Sequence, residues 1–385
     1  MNIKKIFHNS LMAAAIVLCL ILSLTVAASA TEEITGGSAL DTESMFTDRD
    51  LEQTADRKDA VSYTVKSGED IHISSAGVYV LTGAASDVTV YIEAGDEDKV
   101  QLVLDGVTIT NEDFPCVYVK SADKVFITTG ADSALSVTGT FTADGETNTD
   151  GVIFSREDLT LNGTAKLTIS SSNNGVVSKD DLKITGGTYE ITAASKCFEA
   201  NDSIRVADGT FTLNAGTDAL HAENDEDDAL GWVYIAGGSF AIESGDDGIH
   251  GESIVQIDGG TFDISAGEGI EGTYIQINDG EITIGSWDDG VNGAAKSASY
   301  WPTIEINGGY ITIVMASGDT DGVDCNGNLI INGGTIDVSG MSTFDYDGSG
   351  QYNGGTIIVN GQQLSSLPSQ MGGASGGMGR RGRWG

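Results

Sequence analysis

Apolar residues along this chain keep a period of two inside short runs and a longer period between runs. Ahead of a series of glycine turns stand apolar pairs at i and i+2: Leu182 and Ile184, Ile204 and Val206, Val233 and Ile235, Val255 and Ile257, Ile275 and Ile277, Ile304 and Ile306. Behind the turns stands a second pair: Tyr189 and Ile191, Phe211 and Leu213, Phe240 and Ile242, Phe262 and Ile264, Ile282 and Ile284, Ile311 and Ile313. Farther on, each unit has one more apolar residue: Val176, Phe198, Leu220, Ile249, Ile270, Val291, Val323. Such alternation is strand chemistry, because successive side chains leave a strand on opposite faces. The turns close at Gly163, Gly187, Gly209, Gly238, Gly260, Gly280, Gly309, Gly334 and Gly355, from 20 residues apart (260 to 280) to 29 (209 to 238). Three short strands per unit, each with one inward face, describe a triangular coil. Stacked coils bury an apolar column that no single unit could bury. The pattern therefore predicts an all-β chain, a right-handed single-stranded parallel β-helix (a solenoid) of about ten coils. A leucine-rich horseshoe has a similar period but needs a leucine framework and an asparagine ladder, and neither is read in this pattern.

The same pattern divides the chain. Residues 1–30 read as a signal peptide, with Lys4 and Lys5 before an apolar run from Leu11 to Val26 and small residues at Ala28-Ser29-Ala30. A membrane anchor is the competing reading, but the run is short for a span and Thr31-Glu32-Glu33 follows at once. Leu18 before Cys19 argues against a lipoprotein cleavage site. Residues 31–60 read as a flexible acidic lead, 61–99 as a β cap over the N-terminal sheet edge, 100–367 as the β-helix, and 368–385 as a disordered Gly/Met/Arg tail with Arg380, Arg381 and Arg383. The predicted location is extracellular or at the cell surface, with no transmembrane segment once the signal is removed.

Composition sharpens this. The chain has 52 glycines, 3 prolines and a net charge of -38, or -40 once Lys4 and Lys5 leave. Nucleic acid and anionic membranes are poor partners, since their phosphates would be repelled, and cations are the natural ones. Cys116, Cys197 and Cys325 are too sparse for a disulfide framework and read as buried thiols.

One corner carries candidate chemistry. Between the second and third strands stand Asp218, Asp246-Asp247, Glu268, Asp288-Asp289, and Asp319 with Asp321. Neighbouring coils lie about 4.8 Å apart, and two carboxylates at that spacing repel by about 0.9 kcal/mol even in bulk water. Such a ladder needs wide solvation or a bridging cation, and calcium accepts many oxygens in irregular geometry. An isolated Asp before Gly is ordinary turn chemistry; several in register favour bound calcium. Beside the corner runs an outward column, Glu199, His221, His250, Glu271, Asn292 and Asp324, suited to hydroxyl or carboxylate ligands. Glu271 joins the calcium set. A zinc site on His221 and His250 is the lesser reading, because no cysteine lies nearby.

Two insertions follow the third strand, Ala222 to Gly231 and Gly293 to Pro302. They are expected to stand about 14 Å apart along the axis and bracket a shallow groove. Asn224, Asp225, Asp227 and Asp228 are candidate cation ligands, and Trp287, Tyr300 and Trp301 candidate platforms for sugar rings, with His221, His250 and Asn292 as polar contacts.

The repeated Gly-Gly-Thr and Asp-Asp-Gly-Ile turns, Lys179-Asp180-Asp181-Leu182-Lys183-Ile184, the acidic run Glu223 to Asp228 and the Gly/Met/Arg tail together resemble secreted clostridial carbohydrate-binding-domain proteins, over about residues 60–385. The resemblance implies a polysaccharide-lyase-like fold, bound calcium, and binding of cellulose or acidic sugars such as polygalacturonate. The chain departs from that pattern at Lys196-Cys197 and at Thr217-Asp218-Ala219, which puts a metal site there in doubt. Two functions from different classes remain: a non-catalytic glycan binder and a calcium-dependent lyase. A lyase needs a basic proton acceptor, yet from Ser203 to Gly379 only Arg205 and Lys296 are basic besides histidine. Binding to a polysaccharide is the favoured function, and a purely structural or adhesive surface protein is a third. Oligomeric state is not legible.

Overall fold

A computed structural model describes residues 38–317 and 320–368; the signal peptide, nearly all of the tail and Asp319 lie outside the described residues. Each apolar pair of the repeat falls on a strand that pairs in parallel with its counterpart one unit later. The first strands stack as Leu182, Ile204, Val233, Val255, Ile275, Ile304 and Leu329. The second stack as Tyr189, Phe211, Phe240, Phe262, Ile282, Ile311 and Ile336. The third stack as Phe198, Leu220, Ile249, Ile270, Val291, Val323 and Phe344. The molecule is thus all-β, a long, parallel-rich stack whose core is one apolar column. Inside it the rings of Phe211, Phe240 and Phe262 lie nearly parallel, with centroids 4.4 and 4.7 Å apart. Aromatic pairs of this kind add about 0.5–1.5 kcal/mol beyond the area they bury. Cys116, Cys197 and Cys325 are free, buried thiols, pushed up to about 12 by burial. Among the described residues no helix is long and apolar enough to cross a membrane.

The ends of the stack differ from the expectation. Val61–Thr64 already pairs in parallel with Tyr79–Thr82, and Gly77–Leu81 with Val100–Leu104, so the segment assigned to a cap is itself coil. At the other end Thr356–Val359 turns back on Gln362–Leu364 as an antiparallel hairpin.

An amide ladder is also present, contrary to the reading that none exists. Asn278 donates to Asp258 at 2.6 Å, Asn307 to Asn278, Asn332 to Asn307 and Asn353 to Asn332, each of the last three at 2.7 Å. Each Asn precedes the glycine of a turn between first and second strands, a signal visible in Asn307-Gly308-Gly309 and Asn332-Gly333-Gly334. A carboxamide both donates and accepts, so a column of them satisfies itself.

The acidic lead expected to be flexible is, over residues 38–60, a strap laid across the outward faces of the first strands. Ser38, Ala39 and Leu40 bond the side chains of Gln256 and Gln276. Phe46 meets Tyr234, and Arg49 lies 4.5 Å over the Phe126 ring. Arg57 reaches Asp105 at 2.8 Å. Its anchor is Asp50, fully buried, with Lys124 Nζ at 2.6 Å and Lys183 Nζ at 3.8 Å. Thr160 Oγ1 donates to the same carboxylate, and Thr185 Oγ1 donates to the Asp50 carbonyl. Burial pushes the Asp50 pKa up, but the Lys124 hydrogen bond, the Thr47 N–H and the two lysine charges outweigh it and hold it at about 2.

Removing that carboxylate leaves Lys124 buried without its partner. Asp50→Ala is therefore expected to destabilise the protein by about 3–5 kcal/mol, read by chemical denaturation. Because the folded-state pKa lies below the ordinary 3.8, the contribution is complete above that value and fades as pH falls toward about 2. A variant as stable as the parent, with an unchanged acid transition, would mean the strap is not anchored there.

Candidate functional site

The outward column of the third strands runs His72, Tyr91, Tyr118, Phe154, Val177, Glu199, His221, His250, Glu271, Asn292, Asp324 and Asp345, each in register with the next. Its first part is aromatic and packs on itself: Tyr118, Phe154 and Val177 are fully buried. From Glu199 onward it is ionisable or amide.

A cleft opens over this second part because of where the coils lengthen. In Asp247–Ile257 and Glu268–Ile277 the third strand runs straight into the next first strand, with no room for a loop. The coils on either side carry the insertions 222–231 and 293–302. Two bare coils flanked by two looped ones leave a cleft of about 490 Å³, lined by Asp218, His221, Glu223, Asp246, Asp247, His250, Glu252, Glu268, Glu271, Ala295 and Lys296. The loops do not stand apart as expected. Ser297 Oγ donates to the Asp228 carbonyl, so they touch.

Inside the cleft the corner and the outward column join through pairs three residues apart. His221 Nδ1 lies 2.9 Å from Asp218 and its Nε2 2.9 Å from Glu223. One coil on, His250 Nδ1 lies 2.9 Å from Asp247 and 2.8 Å from Glu271. The two imidazoles stack at 4.6 Å. Lys296, from the second loop, reaches Glu271 at 2.8 Å, and Asn292 donates to Glu268 at 2.8 Å. Asp218, His221, Asp247, His250 and Glu271 are each 4–7% exposed, so solvent screens the interactions among them little.

The electrostatics follow from the partners. Burial opposes the charge on His250, but Asp247, Glu252 and Glu271 around it raise its pKa well above 6.5. Glu271 is driven down despite burial, because His250 and Lys296 both donate to it. Asp218 is likewise lowered against its burial by His221. Glu268 goes up, through burial and the charges of Glu271, Asp247 and Asp289, against the opposing Asn292 amide. Beyond the histidines, Asp324 is pushed up to about 6 by burial and by Asp289, Asp321 and Asp345.

The predicted site residues divide accordingly. Asp218, Asp247 and Glu268 fall on one corner column, with the Asp247 N–H donating to Asp218 at 3.1 Å and Asp247 in register with Glu268. Asp289 and Asp321 continue that corner, joined by the Asp321 N–H at 2.9 Å. In each Asp-Asp pair the second turns inward and the first, Asp246 or Asp288, stays exposed. Asn224, Asp225 and Asp227 lie outside the cleft lining. Asn224 Oδ1 accepts from the N–H groups of Glu226 and Asp227, its amide donates to Asp202, and Asp227 accepts from the Ala229 N–H, which is turn chemistry. Trp287 and Trp301, before and after the third strand Val291–Gly293, are 50% and 55% exposed and lie outside the cleft lining, as does Tyr300. The sequence reading missed Glu223, Glu252, Lys296 and Asp345. The first two were visible as a repeated motif, Asp218-Ala219-Leu220-His221-Ala222-Glu223 and Asp247-Gly248-Ile249-His250-Gly251-Glu252.

Fold and site together define an acidic β-stack protein with a polar, imidazole-bearing cleft on one face. The chain belongs to the carbohydrate-binding domain-containing protein family, whose profile matches residues 67–342. A carbohydrate-binding domain-containing protein of Acetivibrio thermocellus is 35% identical over 144 residues, 36% of this chain and 49% of that protein. The chain thus spans about half the length of the curated relative it matches. A solved structure, the polysaccharide lyase-like protein from C. thermocellum as a gadolinium derivative, is 22% identical with a TM-score of 0.43, covering 77% of this chain and 96% of that one.

The glycines after Asp247, Glu268 and Asp289 have a packing reason, whereas Ala219 follows Asp218. A Cβ on Gly248 would lie 2.6 Å from both the Gly269 carbonyl and Ile264 Cγ2. Gly248→Ala is expected to cost about 1–3 kcal/mol in denaturant melts. Unchanged stability would show that the coil has slack beside Asp247.

Proposed function

We propose that this chain is a secreted, non-catalytic carbohydrate-binding protein that holds plant cell-wall polysaccharide, cellulose or an acidic glycan such as polygalacturonate, with calcium at its stacked carboxylates. Membership in a carbohydrate-binding family supports the ligand class. The coil is taken as right-handed, the hand that parallel crossovers adopt almost without exception, with about ten coils. Export follows from the apolar leader with its small-residue end.

The observation that carries the calcium assignment is the far end of the ionisable column. Asp289, Asp321, Asp324 and Asp345 crowd one another there, and burial with their mutual charge drives Asp324 up. Asn292 Oδ1 and Thr320 Oγ1 are buried there with no hydrogen-bond partner. An oxygen-rich set with orphaned acceptors fits a hard cation that takes six to eight oxygens. Asp289, Asp321, Asp324 and the Asn292 carbonyl are the residues that would hold it. Calcium bound there would cancel the charge that otherwise repels an acidic glycan.

One observation favours the lyase alternative: Lys296 stands in the cleft among carboxylates. Its role as a base is opposed by its own partner, since the Glu271 hydrogen bond and charge raise its pKa despite burial. A proton acceptor must be unprotonated at working pH, so binding is preferred.

Calcium titrated into the chelator-stripped full chain is expected to bind saturably and raise the melting temperature, by about 2.7 kcal/mol of stability at a hundredfold excess over Kd. Asp324→Asn should weaken it at least tenfold. Retention on polygalacturonate should need calcium, and no unsaturated sugar product should appear by ultraviolet absorbance. No calcium binding, or release of that product, would remove the model of a calcium-bridged binder.

A further inference from the structure

We propose that the cleft also carries a site for a borderline divalent metal of the zinc class, distinct from the calcium end, formed by Asp247, His250 and Glu271. A ligand atom from each of the three lies within 4.8 Å of the others. His250 Nδ1 is 2.9 Å from Asp247 Oδ2 and 2.8 Å from Glu271 Oε2. Bonds of about 2.0–2.2 Å in a tetrahedron put ligand atoms about 3.4 Å apart, so the three need to spread by about half an ångström to admit an ion. All three line the cleft, as does Lys296 from the second loop.

An acidic cluster alone would not carry this. The second observation is His250 itself: 5% exposed, lining the cleft, with Nε2 unpartnered by any hydrogen bond. Leaving a buried ring nitrogen unpaired is costly. A metal on Nδ1 fixes the tautomer that carries its proton on Nε2, and a ligating imidazole nearly always donates that proton to a carboxylate or carbonyl. Glu252 Oε2 stands 3.8 Å from Nε2, a small side-chain movement from accepting it. The coil before has this outer contact closed, with His221 Nε2 2.9 Å from Glu223, and its ring stacks on His250 at 4.6 Å to hold the plane.

The donor set separates this site from the calcium one. One imidazole and two carboxylates with few further oxygens suit zinc, cobalt or nickel, which accept nitrogen and low coordination number; calcium seeks oxygen alone and more of it. Lys296 is the intramolecular competitor, because its ammonium holds Glu271 at 2.8 Å.

The test uses the full chain stripped with a chelator, zinc by titration calorimetry, and cobalt for its visible absorption in a nitrogen–oxygen site. Expected is one saturable zinc per chain that His250→Gln weakens at least tenfold and Asp324→Asn leaves unchanged. Lys296→Met should tighten zinc several-fold, a gain that misfolding does not produce. Calcium binding should survive in His250→Gln, which keeps failure here apart from failure of the calcium assignment. Absence of saturable zinc binding, equal binding in His250→Gln, or no tightening in Lys296→Met overturns the site.

Discussion

Parallel strands stacked in register about 4.8 Å apart impose one rule on this molecule: every column must be compatible with itself. An apolar column passes, and so does a ring stack such as Phe211, Phe240 and Phe262. A carboxamide column passes because each amide donates upward and accepts from below, as from Asn278 to Asn353. A carboxylate column fails unless something intervenes. The chain answers this in two ways along one face. Where coils follow each other without loops, histidines and a lysine alternate with the acids. Farther along, burial and the neighbouring carboxylates work against the charge of Asp324.

The same rule decides where shape can vary. A strand cannot gain a residue without throwing its face out of register, so insertions are confined to corners. The two that flank the cleft fall after the third strand, on either side of two coils that have none. The cleft is therefore a property of loop placement on a uniform scaffold.

Much of this was legible from residue order. Pairs such as Val255 and Ile257 identified inward positions, and the register from Glu199 to Asp324 appears in the strand pairing as read. Periodicity finds what repeats in every unit, and it overlooks what depends on direction or on distant partners. Asp246 and Asp247 are identical in the sequence, yet only the structure separates the exposed one from the inward one. Asn224 looks like a ligand by type but spends its oxygen on nearby N–H groups. Asp50 sits in a polar stretch with no apolar period, and its partners lie on coils far along the chain.

That strap changes what kind of object the stack is. Repeat proteins touch mainly their neighbours, and they can open or fray one unit at a time. Here Ala39 bonds Gln276, 237 positions away, while Arg57 near the other end of the strap holds Asp105. The segment synthesised early can seat only after the coils around Gln276 exist. Once seated, it ties coils at distant points of the stack to one another.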